Sequence, residues 1–371
     1  MKVAAISTVY GSPWAGSEEL WYQTSLACLD RGHEFEASLF EVFEPCRQIS
    51  DFESRGGRVF WRKRIRGGRL RNLKIRFRSS FKHVFNSNPD VILLSLGSLA
   101  DFMLHPDLIQ DLEAYQGRLI VICLFNSDNQ TFNDHDRKLV GRIMSRAEHC
   151  VFVSDHNRKL AERQLATRFK SASVFSAPVS YQTEREILAW PETELQMACV
   201  ARLEVFAKGQ DVLLEALATP PWKDRDWHLR IYGNGKDKKY ISRLVDHYRL
   251  NAKCSFPGFA SDTRDIWKDC QMLVMASRAE GLSLALLEAM ICGRVCVVTD
   301  VGGHAEVIEE GVSGFLADAP TPKHFAIALE NAWEQRHRWQ EIGTAACESA
   351  GKVFRKEPVA SLMELIERQN A

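Results

Sequence analysis

Short apolar runs alternate along this chain with stretches whose hydrophobic positions repeat at helical spacing. Val3–Ser7 reads as a buried strand that opens the fold. A turn rich in Gly and Ser follows (Gly11–Ser17). A helical pattern then runs from Glu18 to Arg31, with Leu20, Thr24, Ala27 and Cys28 on one side and Gly32-His33 as its stop. The runs Val91–Leu94, Leu119–Leu124 and Cys150–Val153 lack polar alternation, as expected of parallel strands covered on both faces.

A second series begins near Leu195. Met197–Ala201, Leu229–Tyr232, Cys254–Phe256, Met272–Met275 and Val295–Thr299 predict strands, with helices at Gln210–Leu217, Lys238–Tyr248 and Ser283–Cys292. Alternation of strand and helix in both halves predicts an α/β protein of two doubly wound, Rossmann-like units. The boundaries expected are 1–179 and 195–350, joined by the polar stretch Ser180–Glu194 with its Pro191. Helical segments at Pro322–Ala346 and Glu357–Arg368 close the chain, and no solenoid repeat period is present.

The chain's 371 residues suit two domains. Equal numbers of acidic and basic residues give zero net charge, so no global field draws the chain to nucleic acid. The N-terminus lacks a signal-peptide pattern and no apolar run reaches membrane-spanning length, so a cytoplasmic location is expected. The ten cysteines lie mostly in apolar runs and form no CxxC pair, which favours reduced core residues over a metal site at Cys292 and Cys296.

One segment departs from this balance. Arg55–Lys82 holds twelve Lys or Arg, interleaved with Phe60, Trp61, Ile65, Leu70, Leu73, Ile75 and Phe77. It reads either as a solvated surface or as a peripheral contact with anionic lipid at the inner membrane face or with a phosphorylated acceptor.

The candidate chemistry follows the second series of strands. After Met272–Met275 comes Glu280–Gly293, EGLSLALLEAMICG, with Ser283 as N-cap and Gly293 as helix stop. The helix start offers unpaired N–H groups to a phosphate, and Gly281 allows close approach. Glu280 and Glu288 lie eight residues apart, able to face one ligand and accept hydrogen bonds from vicinal hydroxyls. After Met197–Ala201 come Arg202 and Lys208, cations at the sheet edge where a diphosphate leaving group is stabilised. A third turn, Gly11–Glu18, lacks the GxGxxG spacing of a dinucleotide site.

Together these motifs resemble the family-4 retaining glycosyltransferases, which have the GT-B fold of two Rossmann-like domains facing a central cleft. The likeness covers nearly the whole chain and is strongest from Met197 to Phe315. Glu280 and Glu288 match the E-x7-E motif, Arg202 and Lys208 the R…KG motif, and Gly233 and Gly235 a glycine pair after a strand. Gly258, Gly302, Gly303 and Gly314 also fall where the family has glycines.

The resemblance implies roles. Arg202 and Lys208 bind the donor diphosphate, and Glu280 holds the donor sugar as a positioner. The backbone of Gly281, Leu282 and Ser283 contacts sugar and phosphate, with Gly233 nearby. Glu288 binds the ribose, and Gly16 brings its N–H to the distal phosphate from the other domain. It also implies a UDP- or GDP-linked donor, a glycan or lipid-linked acceptor entering from the first domain, a final helix (about 355–371) crossing back, and no metal or other cofactor. Two departures stand out: Ala15 precedes Gly16 where a second glycine is common, and Asn126-Ser127-Asp128 replaces a histidine. Asn126 and Asp128 are candidate contacts to acceptor or sugar, or else caps of the next helix. His135, His156 and His304 are read as ordinary surface or core residues. The alternatives are a GT-B nucleotide-sugar epimerase and a catalytically silent nucleotide-binding scaffold.

Overall fold

The structure is a computed structural model that describes residues 1–9, 14, 16–41, 46–63, 79–176, 178, 187–353 and 357–368. The chain forms two compact units, Met1–Pro178 with Lys356–Ala371, and Val179–Arg355.

The first unit is built on seven strands: β1 (Lys2–Ser7), β2 (Glu34–Phe40), β3 (Arg58–Arg62), β4 (Val91–Leu96), β5 (Arg118–Cys123), β6 (His149–Phe152) and β7 (Ala172–Val174). All pair in parallel, in the order β3-β2-β1-β4-β5-β6-β7. The central strand β4, VILLSL, is buried at every position, which explains why it reads as a continuous apolar run. The helix Pro358–Glu367 packs on the first helix, Gly16–Asp30. Cys28 Sγ lies 3.4 Å from Met363 Sδ, Arg31 pairs with Glu367 at 2.6 Å, and Arg118 donates to the Leu365 and Ile366 carbonyls at 2.7 Å.

The basic segment is not uniformly a surface. Arg62, at the end of β3, is buried between the rings of Phe40 and Phe81, 4.0 and 4.3 Å from their centroids. Its Nη2 donates to the carbonyls of Ser7 and Ser38. Nε and Nη1 find no partner among the described residues, so stacking and these bonds compensate its burial only in part, and Arg62 braces the ends of β1 and β2 rather than facing solvent. Residues 64–78 of that segment lie outside the described residues.

The second unit has six strands: β8 (Leu195–Val200), β9 (Trp227–Tyr232), β10 (Cys254–Gly258), β11 (Met272–Met275), β12 (Val295–Thr299) and β13 (Phe315–Ala317). They are parallel, in the order β10-β9-β8-β11-β12-β13. Its core gathers Met197, Leu229, Val274, Val297 and Phe315 from the sheet and Leu213, Phe325 and Ile342 from the helices. Within each unit the first strand lies between the second and the fourth. The crevice at the carboxyl ends of the first and fourth strands is where such sheets take ligands.

The latter part of the expected linker is not loose. Arg294, fully buried, donates to the Leu188 and Ala189 carbonyls at 3.2 and 2.7 Å, and Gln271 donates to Pro191 and Thr193 carbonyls at 3.0 and 3.1 Å. Residues from 187 onward are therefore tied to the second unit. All ten cysteines are free thiols, eight of them buried. Among the described residues no helix is long and apolar enough to cross a membrane.

Candidate functional site

The most concentrated chemistry stands at the carboxyl ends of β8 and β11, the switch point of the second sheet. After β8 the chain makes the short helix Val205–Lys208, which ends at Gly209 with φ of +60°. A Cβ at Gly209 would lie 1.9 Å from the Ala276 carbonyl, so glycine lets this turn press against the end of β11. The two loops are stitched further: Arg278 N–H donates to the Ala207 carbonyl at 2.8 Å, and its guanidinium grips Asp211 at 2.7 and 2.8 Å.

This stitching sets Lys208 opposite Glu280. The ammonium donates to both carboxylate oxygens, at 2.7 and 2.8 Å, and Ser277 Oγ adds a bond of 2.8 Å to Oε1. Side-chain exposure is 17% for Lys208 and 7% for Glu280. Burial opposes ionisation of Glu280, but the Lys208 charge, His304 and the two hydrogen-bonding partners outweigh it and hold its carboxyl below the usual range. The site thus keeps a carboxylate and an ammonium side by side in a dry surrounding.

Arg202 follows β8, in the loop that leads to Lys208. Its side chain is 56% exposed and pairs with Glu204 at 3.4 Å, while Glu204 also takes Lys236 at 2.7 Å. Gly233 ends β9 with φ of +119°, and a Cβ there would lie 2.0 Å from the Ala201 carbonyl. Its need for glycine is thus met by packing against the β8 loop that carries Arg202.

Ser283 stands at the N-cap of the helix Leu284–Ile291, but its side chain caps no N–H; Oγ lies 3.7 Å from Met275 Sδ. Gly281, Leu282 and Ser283 are buried, and the Gly281 carbonyl accepts from Gly303 N–H at 2.6 Å. Gly293 stops the helix in the left-handed region, φ +73°. Glu288 is half-buried and has different company from Glu280. Burial pushes its carboxyl up to about 7, against a hydrogen bond from Thr263, with Asp262 adding repulsion.

In the first unit Asn126 is buried, its Nδ2 donating to Gln164 Oε1 and its Oδ1 without a partner. Asp128 is exposed and tied to the helix Asp155–Leu165 through His156 at 3.2 Å and Arg163 at 3.0 Å. It therefore pairs with the flank of that helix; the next helix after it, Asp134–Arg146, takes Asn133 as its N-cap, so neither Asn126 nor Asp128 is a cap. Gly16 opens the first helix, and residues 10–13 and 15 of the preceding turn lie outside the described residues. His135 is exposed on its helix, whereas His304 is fully buried and electrostatically coupled to Glu280. Sequence reasoning passed over His304 and Ser277; the signal available was their position, three residues before Glu280 for Ser277 and just after Gly302-Gly303 for His304.

Comparison with known proteins fits this geometry. The Anabaena protein Alr3699/HepE, solved in complex with UDP-glucose, matches with a TM-score of 0.76 over 98% of this chain and 100% of its own, at 18% identity. The fold is GT-B. Residues 180–348, all within the second unit, match the glycosyl transferases group 1 family model. A glycosyltransferase of Methanocaldococcus jannaschii, MJ1178, is 29% identical over 193 residues, 50% of this chain and 51% of that protein. The putative glycosyltransferase EpsD of Bacillus subtilis is 26% identical over 198 residues, 53% and 51% of the two chains. The matched stretch thus spans about half the length of these curated relatives.

Proposed function

We propose that this GT-B chain is a retaining glycosyltransferase of the family-4 type. It moves a hexose from a nucleotide-diphosphate sugar to a hydroxyl acceptor in assembly of a surface polysaccharide or glycolipid. The observation that carries this reading is the Lys208–Glu280 pair at the switch point of the second sheet, with Arg202 exposed beside it. A buried carboxylate suits a sugar's hydroxyls, and two cations suit a diphosphate whose charge grows as the glycosidic bond breaks.

In this mechanism Arg202 and Lys208 neutralise the departing diphosphate, and the first-turn N–H groups of Leu284–Ile291 add their partial positive charge. Glu280 orients the donor sugar, and Glu288 takes the ribose hydroxyls. The acceptor attacks from the face the diphosphate leaves, and a phosphate oxygen receives its proton, so configuration is kept and no protein nucleophile is assigned. The cations do the work a metal does elsewhere, so the reaction needs no cofactor. The first unit holds the acceptor, with Asn126 as a contact. The donor is UDP- or GDP-linked; the UDP-glucose complex of the Anabaena protein and the polysaccharide-synthesis names among the relatives, such as the putative colanic acid glycosyltransferase WcaL of Salmonella typhimurium, support the choice. The protein works in the cytoplasm, with the 55–82 segment meeting anionic lipid.

A thermal-shift panel with UDP, GDP, ADP and NAD on wild type and Arg202→Ala tests this. One nucleoside diphosphate should raise the melting temperature, and the variant should lose that shift. Stabilisation by NAD alone, or by none, would overturn the reading.

A further inference from the structure

His304 has no part in the mechanism above, yet it is fully buried beside its central ion pair. Its Nδ1 lies 2.8 Å from the Thr299 carbonyl, which only accepts, so Nδ1 carries the proton. Nε2 then bears a lone pair, and among the described residues it has no hydrogen-bond partner. The loop that carries the ring is fixed against the turn of Glu280: Gly303 N–H bonds the Gly281 carbonyl at 2.6 Å, and a Cβ on Gly302 would meet the Glu280 and Gly281 carbonyls at 2.3 and 2.4 Å. The charged groups that act on the ring are Glu280, Lys208 and Asp300.

An unpaired buried imidazole nitrogen carries a desolvation cost that an aliphatic side chain at this place would not. The ligand-free pairing also conflicts with the proposed roles. Lys208 spends two of its three N–H bonds on Glu280, yet donor binding asks it to serve the diphosphate. As the ammonium turns to the phosphates, a buried carboxylate loses its main compensating charge.

We propose that His304 is a positioning residue that takes up one proton from solvent when the donor binds, and in that form steadies Glu280 while Lys208 serves the diphosphate. The inference rests on the donor-site reading above. Only protonation turns Nε2 from an acceptor into a donor, and it gives the ring a positive charge that acts on the Glu280 carboxylate. No bond other than the new N–H is formed, and the proton comes from water or buffer.

The sign follows from linkage. Without donor, burial and Lys208 hold the imidazole below its ordinary value, against the opposing pull of Glu280, Thr299 and Asp300, so it is neutral at neutral pH. With donor, loss of Lys208 from Glu280 raises it. Between the two values binding consumes up to one proton, and affinity falls with rising pH by at most about tenfold per pH unit.

Calorimetric titration of the full chain with UDP-glucose, in two buffers of different ionisation enthalpy at about pH 7, counts the proton directly. The sugar nucleotide has no phosphate group that titrates there. Wild type should take up a large fraction of a proton more than His304→Gln, which keeps an N–H donor but cannot titrate. Any proton exchanged at Glu288 on donor binding is common to both proteins and cancels in the difference. Equal proton counts in wild type and H304Q would overturn the inference and leave the donor site standing. If UDP-glucose, GDP-glucose and ADP-glucose all fail to bind wild type, the donor-site reading falls, and this inference with it. A donor-free check uses Lys208→Met: the His304 imidazole, followed by NMR, should titrate higher than in wild type. An unmoved midpoint would also overturn the link.

Discussion

Lys208 and Glu280, 72 residues apart in sequence, form a two-pronged ion pair with N–O distances of 2.7 and 2.8 Å. The pair joins the loop after the first strand of its sheet to the loop after the fourth, and so ties the proposed donor site to the stability of the fold. Removing one partner leaves an uncompensated buried charge, which costs more than the pair itself is worth.

Lys208→Met should therefore lower stability by about 3 kcal/mol, read as a fall in the urea midpoint with unchanged slope. The double variant Lys208→Met/Glu280→Met should recover most of that loss. A double variant no more stable than the single would show that the pair's charges are not what the fold depends on.

Glu280→Gln keeps the shape and removes the charge. Its folded structure should persist, while kcat/KM for transfer falls about 100-fold or more, as for loss of a group that orients the reacting centre. A variant with wild-type turnover would remove Glu280 from the mechanism.

Arg202→Ala touches an exposed side chain, so stability should stay within about 0.5 kcal/mol of wild type. Its effect should fall on the donor alone, raising the donor KM about tenfold or more, measured with acceptor saturating.

Gly209→Ala would place a methyl against the Ala276 carbonyl in a left-handed backbone region. A loss of about 2 kcal/mol or more in a denaturant titration is expected, together with weaker donor binding as Lys208 is displaced.

Glu288 gives a pH signature. Its carboxyl sits at about 7 in the folded chain against 4.5 as the ordinary value. The folded state thus holds a proton the unfolded chain has released, so the Glu288 contribution to stability is full below about pH 4.5 and is lost as pH rises through about 7. Glu288→Gln should flatten that part of the pH–stability curve, by on the order of 2 kcal/mol at neutral pH. An unchanged curve would show that Glu288 ionises freely.

The 55–82 segment predicts salt-sensitive binding to vesicles rich in phosphatidylserine, strong at low salt and lost at high salt. Lack of sedimentation with such vesicles at low salt would remove the membrane contact.

Much of this was legible in the sequence. The continuous apolar runs of β4, β5, β11 and β12 announced themselves because both faces are covered. By contrast β3, RVFWR, hides in a basic run, since its last residue is a buried arginine whose burial depends on Phe40 and Phe81 from elsewhere in the chain. The strand β13 has three residues, too few for any period to show. In the site, the spacing of Glu280 and Glu288 allowed one ligand but fitted two ordinary helix-surface acids better, and spacing says nothing of the neighbours. Lys208 and Ser277 keep one carboxylate charged while Thr263 and Asp262 surround the other. His304 was unreadable for the same reason, because its meaning lies in a lone pair left without a partner.

The return of the helix Pro358–Glu367 to the first unit has a consequence for anyone who would take the protein apart. The backbone passes from one unit to the other twice, near residues 178 and 356. A protease that nicks either passage leaves the halves joined by the other. A fragment ending at the first passage would bare the groove that Leu362, Met363 and Ile366 fill beside Cys28. To isolate the first unit, that helix has to be rejoined to it by a new linker.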